Sequence, residues 1–156
     1  MTEKHRVLFL CTGNSARSQM AEGLVNHLMG ERWRAFSAGT RPSGYVHPLA
    51  IKVMAELGID ITVQHSKSTE KFRGADFDLV VTVCDNAAKN CPTWLGKGKP
   101  VHIGFPDPAA AEGGEAARTQ IFRQVRDAIR TQVLDYLESW EDHVDEAQLT
   151  FMITGK

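Results

Sequence analysis

The chain has 156 residues, of which 42% are hydrophobic, and its formal net charge is -1. This length and composition fit one domain with a proper hydrophobic core. Lysine and arginine are dispersed along the chain, so neither a nucleic-acid-binding surface nor a membrane surface is indicated. The apolar run at residues 7–11 is too short for a signal peptide, and we therefore expect a cytoplasmic protein.

The hydrophobic pattern predicts strands that alternate with helices. In the first half we expect a strand at 7–11, a helix from about 18 to 30, a strand at 33–38, a helix at 48–57 and a short helix at 68–72. In the second half we expect strands at 77–84 and 101–105 and a long helix from about 114 to 140. This alternation implies a single three-layer α/β domain, in which helices flank a four-stranded parallel sheet of order 2-1-3-4. Functional residues are then expected at the carboxyl ends of the strands.

A cysteine and an arginine separated by five residues stand where the first strand gives way to the first helix. Cys11 ends the strand, and Arg17 lies next to the start of the helix. A short loop that curls into a helix N-terminus directs several backbone N–H groups at one point, where the helix dipole also favours negative charge. We therefore expect a site for a tetrahedral oxyanion. Its candidate binding residues are Thr12, Gly13, Asn14, Ser15, Ala16, Arg17 and Ser18.

The side chains of this loop suit the same task. Arg17 can present a planar fork of donors to two oxygens of the anion. The field that holds the anion would stabilise a thiolate on Cys11 and make it nucleophilic at neutral pH, and Ser18 could donate its hydroxyl to that thiolate. Gly13 can take a positive φ in a tight turn, and Asn14 tolerates the left-handed region. The alternative is a buried structural cysteine with Arg17 on a solvated helix face.

Two further cysteines, Cys84 and Cys91, are separated by six residues. Three cysteines, an odd number, argue against an extracellular disulfide framework and favour reactive thiols. In a 2-1-3-4 sheet the first and third strands are neighbours, so Cys11 and Cys84 could approach each other. Cys84 and Cys91 would lie about 10 Å apart along a helix, which must unwind before they can form a disulfide. Alternatively, both are small buried hydrophobic residues. A zinc site fits the spacing poorly.

Asp107 lies between two prolines after the fourth predicted strand. From this loop its carboxyl group could reach over a bound anion and protonate a leaving oxygen. The simpler alternative is a turn residue without a catalytic part, because aspartate is common in turns.

Four parts of the sequence resemble the thioredoxin-coupled arsenate reductases, which share the fold of the low-molecular-weight protein tyrosine phosphatases. These parts are 11–18, 81–84 together with 90–92, 102–109 and 122–127. The phosphatases usually carry a second cysteine just before the loop arginine, where this chain has Ala16. They usually carry a tyrosine two residues after the acid aspartate, where this chain has Ala109. Both differences favour the reductase.

The resemblance covers roughly residues 5–140 and therefore most of the domain. We expect a catalytic domain over residues 1–140 and a flexible C-terminal extension over residues 141–156. Within the extension, residues 149–153 either add a strand or simply trail.

The resemblance implies the reduction of arsenate to arsenite for arsenic detoxification, without an organic cofactor or a catalytic metal. Cys11 would attack arsenate held by the loop and Arg17, while Asp107 protonates the departing oxygen. Cys84 would then attack Cys11 and release arsenite, and Cys91 would attack Cys84 to leave a Cys84–Cys91 disulfide. Thioredoxin would reduce that disulfide, and we expect the protein to be a monomer.

Some members of this family bind potassium through residues that match Asn14, Glu22 and Ser37, together with an aspartate near the position of Ser68. Because Ser68 is not an aspartate, the fourth ligand is missing and only a weak cation site is expected.

Two other functions remain open. A low-molecular-weight protein tyrosine phosphatase would form a phosphocysteine at Cys11 and would need neither Cys84 nor Cys91. Weak phosphatase activity is expected even of the reductase, because phosphate and arsenate are nearly isosteric. A non-enzymatic sensor could capture arsenite through the three cysteines. However, arsenite is neutral near pH 7, so a loop that contains Arg17 would add little electrostatic attraction to its binding.

Overall fold

The structure is a computed structural model, and it describes residues 4–84 and 96–154 of the chain. The four strands are β1 (His5–Cys11), β2 (Trp33–Gly39), β3 (Asp76–Thr82) and β4 (Lys97–His102). The three α-helices are α1 (Arg17–Leu28), α2 (Pro48–Ala55) and α3 (Glu115–Thr154). Two short 3-10 helices span Thr69–Phe72 and Pro108–Ala110, and the sequence pattern predicted only the first of them.

The four strands form one parallel sheet in the order β2-β1-β3-β4, as predicted. The register pairs Cys11 with Gly39 on β2 and Leu10 with Thr82 on β3. Cys11 therefore lies at the carboxyl edge of the sheet, between the ends of two neighbouring strands. This is the edge at which parallel α/β sheets carry their ligand sites.

The side chains of β1 alternate between two apolar layers, one on each face of the sheet. Val7, Phe9 and Cys11 face the larger layer, which the three α-helices complete. Leu8 and Leu10 face a smaller layer that also contains residues of β3 and of the first 3-10 helix. Because both faces are covered, β1 is a continuous apolar run without polar alternation.

The predicted position of the fourth strand was wrong. We expected it at 101–105, but β4 spans Lys97–His102. β4 is an edge strand with mostly exposed side chains, so its first half needs no apolar residues and escapes detection by hydrophobic pattern. Beyond β4, the backbone N–H groups of Ile103 and Phe105 still donate to carbonyls at the end of β3, which explains the apolar character of that stretch.

Helix α3 is longer than predicted and runs past Trp140 to Thr154. Residues 149–153, for which a strand was one alternative, are helical. At the start of this extension the Glu141 carboxylate accepts a hydrogen bond of 2.8 Å from the indole N–H of Trp33. The flexibility of residues 141–156 stays a prediction. Although α3 has 40 residues, no helix in the described parts of the chain is apolar enough over a sufficient length to cross a membrane.

Candidate active site

The loop between β1 and α1 turns its peptide carbonyls outwards. The carbonyls of Thr12, Gly13 and Ser15 accept hydrogen bonds of 2.8–3.0 Å from backbone N–H groups of residues 41, 43 and 47, which lie in the segment after β2. In a trans peptide the N–H of the next residue points the opposite way from each carbonyl. The N–H groups of residues 13, 14 and 16 are therefore turned inwards, where an anion can bind.

Asn14 takes the strained position in this loop. Its φ is +49°, and it is the one non-glycine residue with a positive φ among the described residues. Gly13, for which a positive φ was also considered, does not adopt one. Asn14 is fully buried, its side-chain amide donates to Ser18 Oγ at 2.8 Å, and its Oδ1 accepts from Gln19 Nε2 and Lys67 N. These bonds offset the cost of the left-handed conformation.

Cys11 Sγ receives two contacts from the loop and the helix. The backbone N–H of Asn14 donates to the sulfur at 3.2 Å, and Ser18 Oγ lies 2.8 Å from it. Because Ser18 Oγ accepts a hydrogen bond from Asn14, its own hydrogen can be directed at the sulfur. Two donors aimed at one sulfur stabilise its thiolate form.

The N-terminus of α1 is left open for an anion. Ala16 occupies the N-cap position and provides no side-chain hydrogen bond to the first turn of this helix. The helix dipole adds a partial positive charge at this point, which favours a bound anion. Thr12, Gly13 and Ser15 are partly exposed, whereas Cys11 is 2% exposed, so an anion must approach from the loop side.

Arg17 and Asp107 lie side by side at this site. The Arg17 guanidinium is largely buried and donates to the carbonyl of Phe105 at 3.1 Å, which fixes the plane of its fork. Its Nη2 lies 3.8 Å from Asp107 Oδ2. The other carboxylate oxygen of Asp107 accepts from Ala109 N and caps the second 3-10 helix. The structure therefore brings Asp107 next to Arg17 at the end of the loop, and the role of Asp107 as an acid stays a prediction.

His47 closes the site on the side of α2. Its backbone N–H donates to the carbonyl of Ser15 at 2.8 Å, and its Nδ1 accepts from Leu49 N at the start of α2. Burial lowers the pKa of His47, the nearby charge of Arg118 lowers it further, and the carboxylate of Asp107 opposes both. A neutral imidazole that caps α2 indicates a structural role for His47.

The second thiol, Cys84, lies two residues beyond the end of β3 and is buried in the same apolar layer as Cys11. The Val83 N–H donates to the carbonyl of Leu10 at 2.9 Å, so the two strand ends remain paired up to the residues next to both cysteines. Cys91 and the helical segment predicted around it fall within residues 85–95, outside the described residues.

The three residues of the expected cation site are already engaged. Glu22 and Ser37 face the ammonium of Lys67, and Asn14 Oδ1 accepts from the Lys67 backbone. An ammonium beside the carboxylate does not fit a bound metal cation there. In the described parts of the chain, three or more histidine, cysteine or acidic side chains do not gather anywhere into a possible metal site.

Sequence analysis did not identify Gln19 or Lys67, although both residues hold the loop in place. Gln19 is fully buried, and its amide donates to both oxygens of Asn14 and to the carbonyl of His65. A polar residue within the apolar pattern of a helix could have indicated such a role, but only the fold identifies its partners.

Residues 6–147 match the family described as low molecular weight phosphotyrosine protein phosphatase. An arsenate reductase from Halalkalibacterium halodurans is 44% identical over 136 residues, which cover 87% of this chain and 97% of the relative. An arsenate reductase from Bacillus subtilis is 42% identical over 137 residues, which cover 88% of this chain and 98% of the relative.

Solved structures share the fold. An arsenate reductase in the phosphate binding state matches with a TM-score of 0.70 at 32% identity and covers 86% of this chain and 98% of its own. A low molecular weight protein tyrosine phosphatase from T. tengcongensis matches with a TM-score of 0.65 at 25% identity. The match covers 87% of this chain and 99% of the phosphatase chain. The chain belongs to the low molecular weight phosphotyrosine protein phosphatase family and, within it, to the group of the arsenate reductases.

Proposed function

We propose that this protein reduces arsenate to arsenite with Cys11 as the nucleophile. The observation that carries the proposal is the position of Cys11 Sγ, which receives contacts from Asn14 N–H and Ser18 Oγ beside inward-turned peptide groups. The arsenate reductases that are 42% and 44% identical to the chain support arsenate as the oxyanion.

In the first step the Cys11 thiolate attacks arsenic. A sulfur–arsenic bond forms, one arsenic–oxygen bond breaks, and the oxygen leaves as water or hydroxide after Asp107 donates a proton. Arg17 and the loop N–H groups hold the remaining oxygens and stabilise their negative charge. The oxidation state of arsenic does not change in this step.

In the second step the Cys84 thiolate attacks the sulfur of Cys11. A Cys11–Cys84 disulfide forms and the sulfur–arsenic bond breaks, with its electron pair passing to arsenic, which leaves as arsenite. Two thiols are thus oxidised to one disulfide, which balances the two-electron reduction of arsenic. Cys91 then attacks Cys84, which releases Cys11 and leaves a Cys84–Cys91 disulfide.

We propose thioredoxin as the reductant of this disulfide, because a dithiol carrier restores both thiols in one exchange. The relay uses three cysteines of the same polypeptide, so a monomer suffices. A reducing cytoplasm is the setting that keeps such thiols available. An organic cofactor or a metal has no step to perform in this sequence of reactions.

The test is a coupled assay that follows NADPH consumption with arsenate, thioredoxin and thioredoxin reductase. The unchanged protein should sustain turnover, and Cys11→Ser should abolish it. Cys91→Ser should release about one arsenite per chain and then stall, because Cys11 and Cys84 are then the one thiol pair left in the chain. Sustained turnover by Cys91→Ser would remove Cys91 from the mechanism.

A phosphatase is the second candidate, because the matched family is described as a phosphatase family and the phosphatase from T. tengcongensis shares the fold. A phosphocysteine at Cys11 needs only the loop and Asp107. The discriminating measurement is turnover of an aryl phosphate by the unchanged protein and by Cys84→Ser. Efficient ester hydrolysis that is indifferent to Cys84, without arsenate-dependent NADPH consumption, would reverse the assignment.

A further inference from the structure

A partly buried ion pair, Glu22 and Lys67, lies beside the anion loop and has no part in the reaction proposed above. The Glu22 carboxylate accepts a hydrogen bond of 2.7 Å from the Ser37 hydroxyl and lies 3.6 Å from Lys67 Nζ. The Lys67 ammonium also donates to the carbonyl of His65 at 2.8 Å and to Ser37 Oγ at 3.5 Å. The side chains of Glu22 and Lys67 are only 12% and 16% exposed, so solvent screens this pair weakly.

Each of the two charges depends on the other. Burial raises the pKa of Glu22, and the positive charge of Lys67 opposes that rise. Burial lowers the pKa of Lys67, and the carboxylate of Glu22 opposes that fall. Removal of one partner would leave an uncompensated charge in a poorly solvated place, which is strongly destabilising.

The segment that carries Lys67 also orients the loop. The Lys67 backbone N–H donates to Asn14 Oδ1 at 2.9 Å, and the carbonyl of His65 accepts from Gln19 at 2.8 Å. Gln19 in turn donates to both oxygens of Asn14. Asn14 contacts the sulfur of Cys11 through its own N–H. A continuous set of contacts therefore joins the lysine segment to the nucleophile.

We propose that the Lys67 ammonium is a built-in cation of the active site, which takes the place that a monovalent metal ion would fill beside Glu22. Lys67 is then a positioning residue that acts on Cys11 through Asn14. The oxygens of Glu22 and Ser37 are engaged by the ammonium, so potassium is not needed. The inference rests on Cys11 being the nucleophile, as in the proposed function, but not on the identity of the oxyanion.

The test replaces Lys67 with methionine in a chain that also carries Cys84→Ser and Cys91→Ser, so that only Cys11 can react with iodoacetamide. At pH 8 in about 0.1 M tetramethylammonium chloride, we expect alkylation about three- to tenfold slower than in the parent and a lower midpoint of thermal unfolding. Potassium chloride at the same ionic strength should reverse much of both losses, because potassium is small enough to approach the Glu22 carboxylate. The parent should respond equally to both salts.

Two further variants make the readout specific. Lys71→Met removes an exposed lysine from the same part of the chain and should change neither the alkylation rate nor the response to potassium. Addition of Glu22→Gln to Lys67→Met removes the carboxylate that would attract potassium, and it should abolish the recovery even if the protein is less stable.

Three outcomes would overturn the proposal. A parent protein that is stabilised by potassium but not by tetramethylammonium would mean that a metal ion still binds beside Glu22. Unchanged alkylation in Lys67→Met would mean that the ammonium does not position Cys11. Slower alkylation without recovery in potassium would make Lys67 a structural contact and not a replacement for a cation. Because no arsenate is used, these results are independent of the proposed reduction.

Discussion

Ser18 Oγ lies 2.8 Å from Cys11 Sγ, and the two residues are joined across the anion loop by one hydrogen bond. Ser18 is in the first turn of α1 and fully buried, so water cannot replace its hydroxyl without a rearrangement. The same oxygen accepts from Asn14, which fixes its position. The nucleophile is therefore held by contacts that exist before any substrate arrives.

Ser18→Ala should slow the reaction of Cys11 with iodoacetamide at pH 7 by about tenfold. The lost hydrogen bond is one to a charged sulfur, for which about 1.5 kcal/mol is typical. Ser43→Ala is the matched control, because Ser43 is exposed and its hydroxyl bonds within its own turn to the backbone of Tyr45. An unchanged rate in Ser18→Ala would mean that the hydroxyl does not stabilise the thiolate.

Two substitutions of Asn14 separate its backbone from its side chain. Asn14→Gly and Asn14→Ala both remove the side-chain bonds to Ser18, Gln19 and Lys67, but only alanine is strained at a φ of +49°. Both variants should react more slowly at Cys11, and the free energy of unfolding of Asn14→Ala should be lower than that of Asn14→Gly by about 1 kcal/mol. Urea denaturation gives this difference, and equal stabilities would contradict a left-handed Asn14.

Asp107→Asn tests the proposed acid with little change to the fold. Asparagine keeps a side-chain oxygen that can accept from Ala109 N, so the 3-10 helix should remain capped. We expect the first step to slow by about a hundredfold, measured as arsenite release in a single turnover. Phosphate affinity, measured by calorimetry, is the control and should not fall, because a neutral amide repels an anion no more than a carboxyl group does. A full rate of arsenite release would assign Asp107 to the turn alone.

The order of the sheet could be predicted because alternating strands and helices favour a doubly wound parallel sheet. The Cys11–Ser18 loop could be predicted because its signal lies in contiguous sequence. The motif that indicates the loop lies between an apolar run and a helical pattern. In the structure its residues all lie at the carboxyl end of β1. Lys67 could not be predicted in this way. It reaches the loop only because residue 68 pairs with Gly39 at the end of β2, a contact between distant parts of the chain. The start of β4 was missed because an edge strand can carry polar residues at exposed positions, so that a hydrophobic pattern does not reveal it.

Gly39 should be more sensitive to alanine than the motif residue Gly13. A Cβ at Gly39 would lie 2.4 Å from the backbone carbonyl oxygen of Thr12, which cannot move without distorting the loop. A Cβ at Gly13 would meet only Ser15 Oγ, at 3.8 Å, which is ordinary contact. We expect Gly39→Ala to lower the unfolding free energy by about 2 kcal/mol and Gly13→Ala to lower it by less than about 0.5 kcal/mol, as measured in urea. Equal losses would contradict the close approach of β2 to the loop.

The ion pairs that join the end of α2 to α3 should stabilise the protein less in acid. Glu56, at the end of α2, accepts hydrogen bonds from Arg123 and Arg126 of α3. The bonds from Arg123, followed by those from Arg126 and the charges of both, hold the pKa of Glu56 at about 2, below its ordinary 4.5. A carboxyl group whose pKa is lowered in the folded state stabilises that state above its unfolded pKa and stops doing so as the pH falls through the folded value.

Glu56→Gln should therefore lower the thermal midpoint by a few degrees at pH 7, where the carboxylate is charged in both states. The gap between the parent and Glu56→Gln should narrow as the pH falls from 4.5 towards 2, because Glu56 then takes up a proton more readily in the unfolded chain. Calorimetric scans across this range give the gap. Glu138→Gln, which removes an exposed carboxylate from α3, is the matched control and should shift the midpoint only slightly. A gap that stays constant down to pH 2 would mean that the contacts between Glu56 and the two arginines stabilise the fold without its charge.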